Sequence, residues 1–148
     1  MKKRGFEWVK SYAHTHSSLP QRSTAHSAGY DLASASDIVL KPNEVTLVPT
    51  GLKAYMQDNE YLGIHIRSSL AVKKHICLVN SQGIIDSDYY NNPDNEGHIF
   101  VALLNFGTTN INLPKDTRIA QGIFYQFLLT DDDKAIDERK GGLGSTGR

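Results

Sequence analysis

YLGIHIR, residues 61–67, decides the fold class. In an extended chain Leu62, Ile64 and Ile66 fall on one face, and Tyr61, Gly63, His65 and Arg67 on the other. That is the pattern of a strand with one face in a core. Similar short runs recur in EVTLVP (44–49) and RIAQGIFYQFL (118–128). HIFVALLN (98–105) is apolar on both faces, as expected of a strand buried on both sides, either central in its sheet or covered by another subunit. Turn formers separate the runs at residues 41–43, 57–60, 91–95 and 115–117. No long stretch carries an apolar period of 3.6 residues, and SSLAVKK (68–74) is the best candidate for one short helix. The expected fold is all-β, a sandwich, jelly roll or barrel.

A chain of 148 residues is one domain's worth. Lys and Arg total 16, as do Asp and Glu, so the formal net charge is zero. A broad nucleic-acid footprint needs a basic stripe, so nucleic acid is not an expected partner; one small anionic ligand remains open. The single Cys77 excludes an intramolecular disulfide and a cysteine-cluster zinc site. The opening MKKRGFEWVK is basic, but no apolar signal segment follows it, and no run has the length of a membrane helix. The expectation is a soluble, cytoplasmic protein with no membrane partner.

Several residues look wrong for a core. Arg67 stands at a strand end beside Ser68, Ser69 and a possible helix start. An Arg fork with hydroxyls binds oxyanions, whereas Ser68 as a helix cap and Arg67 as a surface charge is the plainer alternative. NSQGIIDSDYY (80–90) resembles a tight hairpin, with Gly83 permitting close approach and Ile84 and Ile85 running into Asp86. An Asp after apolar residues is a candidate for partial desolvation and a general-base role; turn chemistry is the alternative, stronger for Asp88 than for Asp86. Tyr89 offers a flat ring beside it. Gln121 interrupts an apolar run and needs partners, either neighbouring backbone or a ligand. The six His residues form no constellation and read as surface residues. Residues 131–138 read as a solvated acidic linker. The tail GGLGSTGR (141–148) is either a disordered terminus or a nest of backbone N–H groups for a phosphate chain.

Five segments then fall into a known order: AGYDL (28–32), RSSLA (67–71), NSQGIIDSDYY, RIAQGIF (118–124) and RKGGLGSTG (139–147). Together they resemble the five motifs of trimeric dUTPases, and VPTGLKAYM (48–56) resembles the strand before the second motif. The resemblance implies a distorted β jelly roll of residues 1–136 with a mobile arm, residues 137–148. It implies a homotrimer with shared active sites that hydrolyses dUTP to dUMP and pyrophosphate with Mg2+, the metal bound mainly through substrate phosphates and water. By position Asp86 matches the catalytic Asp that activates water for attack on the α-phosphorus. Asn80 and the backbone around Gly83, Ile84 and Ile85 match the element that reads uracil. Tyr89 matches the ring against the deoxyribose. Arg67, Ser68 and Ser69 match phosphate contacts made from a neighbouring subunit, and Gln121 a Gln near the site, while Asp31 is expected to support architecture. Arg139, Leu143, Gly144, Ser145 and Thr146 match the arm that closes over the triphosphate, with the arm expected to reach another subunit.

Departures sharpen the expectations. Ile66 stands where the family usually has Pro. Leu143 stands in place of a Phe that stacks on uracil, and base stacking is worth about 1–3 kcal/mol. Arg139 lies nearer the glycines than in many members. YNNPDNEG (90–97) reads as a longer polar surface loop, with a regulatory protein as a possible partner. Two rival functions remain: a dCTP deaminase of the same fold, whose catalytic Glu position falls on Ala102 here, and a non-enzymatic module that binds a regulatory protein.

Overall fold

The structure is a computed structural model that describes residues 1–15 and 17–142. Leu143, Gly144, Ser145 and Thr146 lie outside the described residues. Eleven strands and one α-helix follow in order: β1 Gly5–Trp8, β2 Tyr30–Ala33, β3 Ile38–Leu40, β4 Val45–Pro49, β5 Leu52–Tyr55, β6 Glu60–Ile66, α1 Ser68–Lys74, β7 Ile76–Leu78, β8 Gly83–Asp86, β9 Phe100–Asn105, β10 Ile111–Leu113 and β11 Arg118–Gln126. They form a four-stranded sheet β2-β11-β6-β8, a three-stranded sheet β4-β9-β7, and two ribbons, β1-β5 and β10-β3. Every strand pair in these ladders is antiparallel. This is the jelly-roll-like arrangement expected, and the sheets do not close into a barrel.

The period of two in the sequence is what fills the space between the sheets. Leu62 and Ile64 of β6 and Leu32 of β2 turn inward to meet Val48, Ile76, Val101 and Leu103 of the other sheet, while Leu40 and Leu113 come from a ribbon. The four anticipated turns are present. Asn43, Asn91 and Asp116 take positive φ angles of 61°, 56° and 70° there, which Asn and Asp tolerate better than most side chains. Helix α1 spans the expected residues. Arg67, extended at φ −73° and ψ 126°, is its N-cap residue, and His75 ends it in the left-handed region at φ 57°. Lys73 and Lys74 in the last turn suit the negative end of the helix.

One expectation is met in part and one changes. The strand of HIFVALLN, β9, is central in its sheet, between β4 and β7, but it is not buried on both sides within the chain. Val101, Leu103 and Asn105 of β9 are buried, but Phe100, Ala102 and Leu104 share the opposite face with their cross-strand partners Pro49, Leu47, Val45 and Cys77. Val45, Leu47 and Phe100 are exposed there, so the sheet presents an apolar outer surface. Nor do residues 80–90 form a two-stranded hairpin: their one strand, β8, pairs with β6, while β7 before it pairs with β9, so the chain crosses from one sheet to the other at the 79–82 turn. Gly83, packed against the Ile64 side chain, opens the new ladder.

Candidate active site

The side chains singled out in the sequence collect at two places on the four-stranded sheet. The first lies where β6 runs into α1. Gln121 of β11 sits opposite Asp31 on one side and His65 on the other. Its amide is packed over Gly29: a β-carbon there would stand 2.2 Å from Gln121 Oε1. Only glycine allows that approach, which is why AGYDL carries one at that position. Asp31 accepts hydrogen bonds from Ser23 Oγ at 2.9 Å and Arg118 Nη1 at 3.2 Å, tying the crossing segment to β11. Its contacts are architectural. Arg67 and Ser69 are half-buried beyond the end of β6, and Ser68 is exposed. Arg67 holds the N-cap position without a side-chain cap hydrogen bond, so Ser68 is not the N-cap.

The second place is the end of β8. Asn80, in the turn, lies over Gly83, with its amide nitrogen 3.9 Å from where a β-carbon would be. Along β8 the side chains alternate: Ile85 packs on the core, while Ile84 and Asp86 share the outer face with Tyr61 and Gly63. Asp86 is therefore not desolvated by its own chain; its side chain is 51% exposed. A single turn of 3₁₀ helix, Ser87–Tyr89, follows. It swings the Tyr89 ring onto the core, where the phenol donates to the His98 carbonyl at 2.5 Å and accepts from Asn95 Nδ2 at 2.9 Å. Burial pushes the Tyr89 phenol up, against a smaller opposing pull from Asn95 and Arg139.

The arm returns to this place. Arg139 Nη2 donates to Asp86 Oδ2 at 2.6 Å and Nε to Asp88 Oδ1 at 2.7 Å, with the guanidinium 6.0 Å above the Tyr89 ring. Both carboxylates are half-exposed although the Arg139 side chain is 13% exposed, so water screens the two pairs from the carboxylate side. Residues 127–138, leading to it, are exposed throughout, as expected of the acidic linker. The contact is made within one chain, on the chain's own β8 end.

The two places do not meet within one chain. Asp86 pairs across from Tyr61, and Arg67 lies six positions further along the chain, one residue past the end of β6. At about 3.3 Å per residue the gap is about 20 Å. A cleft of about 1020 Å³ lies under the N-terminal segment, lined by Trp8, Tyr12, Ser23, Asp31 and Arg118 among others, and it includes neither Arg67 nor Asp86. Between the two places His65 Nε2 lies 3.0 Å from Tyr125 Oη and 3.3 Å from Gln82 Nε2.

Three features escaped the sequence. His65 and His98 are half-buried rather than surface residues; His98 Nε2 accepts from the Gly51 N–H at 2.9 Å, and burial holds its pKa down. Lys53 is buried, with Nζ bound to Asn91 Oδ1 at 2.6 Å and Glu96 Oε2 at 2.8 Å. Residues 91–97 form a closed hydrogen-bonded loop behind Tyr89. A Lys inside the apolar run LKAY was the available signal, since a buried ammonium needs an anionic partner. Among the described residues no three His, Cys, Asp or Glu side chains gather as a metal site, and no helix is long and apolar enough to cross a membrane.

Known proteins give this geometry its context. The dUTPase family model matches residues 15–147. A curated relative from Lactococcus lactis subsp. lactis (strain IL1403), named deoxyuridine 5'-triphosphate nucleotidohydrolase, is 50% identical over 149 residues and covers 99% of each chain. A relative of the same name from Rickettsia felis is 38% identical over 94% of this chain and 95% of its own. The crystal structure of dUTPase from Streptococcus mutans is 48% identical, with a TM-score of 0.82 over 86% of this chain and 98% of that one. With a family match across nearly its whole length and a half-identical full-length relative, this chain belongs to the dUTPase family.

Proposed function

We propose that the protein is a dUTP diphosphatase, hydrolysing dUTP to dUMP and pyrophosphate. The observation that carries this reading is the meeting of Asp86, Tyr89 and Arg139 at one sheet edge, with the Asp86 carboxylate open to solvent, in a chain of this family. Asp86 accepts a proton from the water that attacks the α-phosphorus, and the P–O bond to the departing pyrophosphate breaks in line. Asn80 and the backbone of Gly83, Ile84 and Ile85 hold uracil; Tyr89 lies against the deoxyribose. Arg67, Ser68, Ser69 and Gln121 of a neighbouring subunit bind phosphate oxygens and order the site. Arg139 leaves Asp86 for the triphosphate as Leu143, Gly144, Ser145 and Thr146 close over it, so arm closure frees the base. Residues 1–136 are the catalytic domain and 137–148 the arm.

The donors fit Mg2+ held through substrate phosphates and water: Asp31, the carboxylate beside Gln121, is engaged with Arg118 and Ser23, and Mg2+ commonly binds through phosphates with few carboxylates. When bound, the ion neutralises phosphate charge. The separation of about 20 Å between Asp86 and Arg67 is too long for a general base and the phosphate it serves. It supports a site shared between chains, and the exposed Val45, Leu47 and Phe100 face supports a homotrimer. The product dUMP would feed dTMP synthesis, and removal of dUTP in the cytoplasm would limit uracil in DNA. Ala102 carries no titratable group on its open strand face, so nothing favours dCTP deamination.

The test is pyrophosphate release from dUTP with Mg2+, wild type against Asp86→Asn. The wild type is expected to turn over, and the variant to lose about 10²–10⁴-fold, the usual worth of a positioned base. Comparable rates, or ammonia release from dCTP, overturn the reading.

A further inference from the structure

The 91–97 loop has the composition of a solvated surface loop and the bonding of a built scaffold. Asn92 is 5% exposed, and its side chain makes four hydrogen bonds: Nδ2 donates to Tyr89 O at 2.8 Å and Asn95 Oδ1 at 2.8 Å, while Oδ1 accepts from the N–H groups of Asp94 at 3.0 Å and Asn95 at 3.1 Å. Asn95 Oδ1 also takes the Gly97 N–H at 3.0 Å, and Asn95 Nδ2 donates to the Tyr89 phenol. Gly97 closes the loop at φ +88°, with its Cα side so near Tyr89 O that a β-carbon would stand 2.7 Å away. Asn91 and Glu96 are pinned from beneath by Lys53. The amides of Asn92 and Asn95 therefore point into the chain, and each gives one hydrogen bond to Tyr89.

The same loop touches the arm. A β-carbon on Gly142 would stand 3.1 Å from Asn95 Nδ2 and 3.5 Å from Tyr89 Cε1, and one on Gly141 would stand 2.9 Å from Asp94 Oδ2. Glycines are what permit the arm to lie this close. Asn95 thus touches both the ring and the arm.

Resting on the dUTPase reading, we propose that Asn95 is a positioning residue: it fixes the sugar-facing ring of Tyr89 and, with Asp94, forms the seat on which Gly141 and Gly142 settle. Sugar selection and arm placement then share one side chain. Asn95→Asp keeps the acceptor oxygen for Gly97 and Asn92 but loses the N–H given to the phenol. That phenol can then donate to the new carboxylate instead of His98, and the ring turns. Asn95→Ala removes both links.

The experiment measures kcat/KM for dUTP and for UTP in the full-length protein with Mg2+. In both Asn95 variants the dUTP-to-UTP ratio is expected to fall about three- to tenfold, the worth of one neutral hydrogen bond. Leu113→Ala, a core truncation in β10, which pairs with β3 and not with β8, is expected to lower the melting temperature as a control and to leave the ratio unchanged. Trypsin cleavage after Arg139 and Lys140 without nucleotide, followed by mass spectrometry, reads the seat without reference to activity; it is expected to quicken severalfold in Asn95→Ala. An unchanged ratio in both variants, or an equal fall in Leu113→Ala, overturns the positioning of Tyr89, and unchanged cleavage overturns the seat. Absence of dUTP turnover in the wild type overturns the proposed reaction and with it the role in sugar selection, and the cleavage assay still decides the seat.

Discussion

Glu96→Gln should destabilise this protein more than its position on a polar loop would indicate. Lys53 Nζ has two oxygen partners, Asn91 Oδ1 at 2.6 Å and Glu96 Oε2 at 2.8 Å, and its side chain is 10% exposed against 27% for Glu96. Glu96 also accepts the Lys10 N–H at 3.1 Å and 3.2 Å. Removing one partner of a fully buried pair costs about 3–5 kcal/mol, because a charge is left stranded. An exposed pair is worth about 0.2–1 kcal/mol. With one end buried and the other part-exposed, the expected loss is about 2 kcal/mol, between those limits. For a chain of this size that lowers the melting temperature by about 4–8 °C. Thermal unfolding at neutral pH and fixed protein concentration measures it, since dissociation of an oligomer would move the midpoint by itself. Lys53→Met removes the stranded ammonium and fills the same apolar space, so in that background Glu96→Gln should cost at least 1 kcal/mol less, as coupled neighbours do. Bonding to Lys53 holds the Glu96 carboxyl below its usual 4.5. Its stabilising share is therefore complete above pH 4.5 and lost as pH falls through the lowered value, so wild type and Glu96→Gln should converge in acid. Additive costs, or a gap that does not narrow as the pH falls below 4.5, would count against this coupling.

Other outcomes follow from separate contacts. Gly29→Ala forces Gln121 Oε1 out of a 2.2 Å overlap; the expected cost is about 1–3 kcal/mol together with a lower kcat/KM for dUTP, and wild-type values in both would remove that packing from the site. Burial holds the His98 pKa below its usual 6.5. The unfolded chain therefore takes up the proton first, and stability is level above pH 6.5 and declines below it; His98→Gln should flatten that decline, and an unaltered pH–stability curve counts against it. Leu47→Asp puts a charge on the apolar face of the β4-β9-β7 sheet and is expected to elute from gel filtration as a monomer without activity. Leu143→Phe offers uracil an aromatic face and is expected to lower KM for dUTP, an unchanged value counting against stacking.

What could be read from the sequence is what depends on local periodicity. Leu62, Ile64 and Ile66 alternate with Tyr61, Gly63, His65 and Arg67, and β6 turns the apolar set inward; α1 occupies the residues read for it, from Ser68 to Lys74. Pairing over distance was less legible. Residues 80–90 carry local turn chemistry that looks like a hairpin, but β8 takes its register from β6, where Gly83 meets Ile64, and no local signal encodes that choice. The inward direction of the 91–97 amides was hidden for the same reason. Asn, Asp and Pro favour turns wherever they stand, and only Lys53, some forty positions earlier in the chain, reveals that this turn is anchored. Asp86 and Tyr89 stand out by local chemistry, an Asp after two isoleucines with a flat ring beside it, and by their place in an ordered set of motifs. Asp86's exposure was missed because partial desolvation was expected from the preceding isoleucines, and those alternate across the strand: Ile85 goes to the core, Ile84 and Asp86 to solvent.

That alternation bears on how the activity depends on assembly. A β-sheet is too stiff to fold Arg67 back upon Asp86, because both are fixed to β6 and its neighbour at opposite ends of one ladder. If the two act on one nucleotide, they do so from different chains, and the base gains a dry environment only when a neighbour covers it. The open apolar face of β4 and β9 supplies a reason for chains to associate: burying Val45, Leu47 and Phe100 contributes about 25 cal/mol for each Å² removed from water. Assembly and catalysis are then a single equilibrium. Diluting the protein through its dissociation range should lower specific activity in step with the loss of oligomer, measured by light scattering on the same samples. Full specific activity in a monomeric sample would mean that one chain closes the gap of about 20 Å by itself, which the register of β6 forbids.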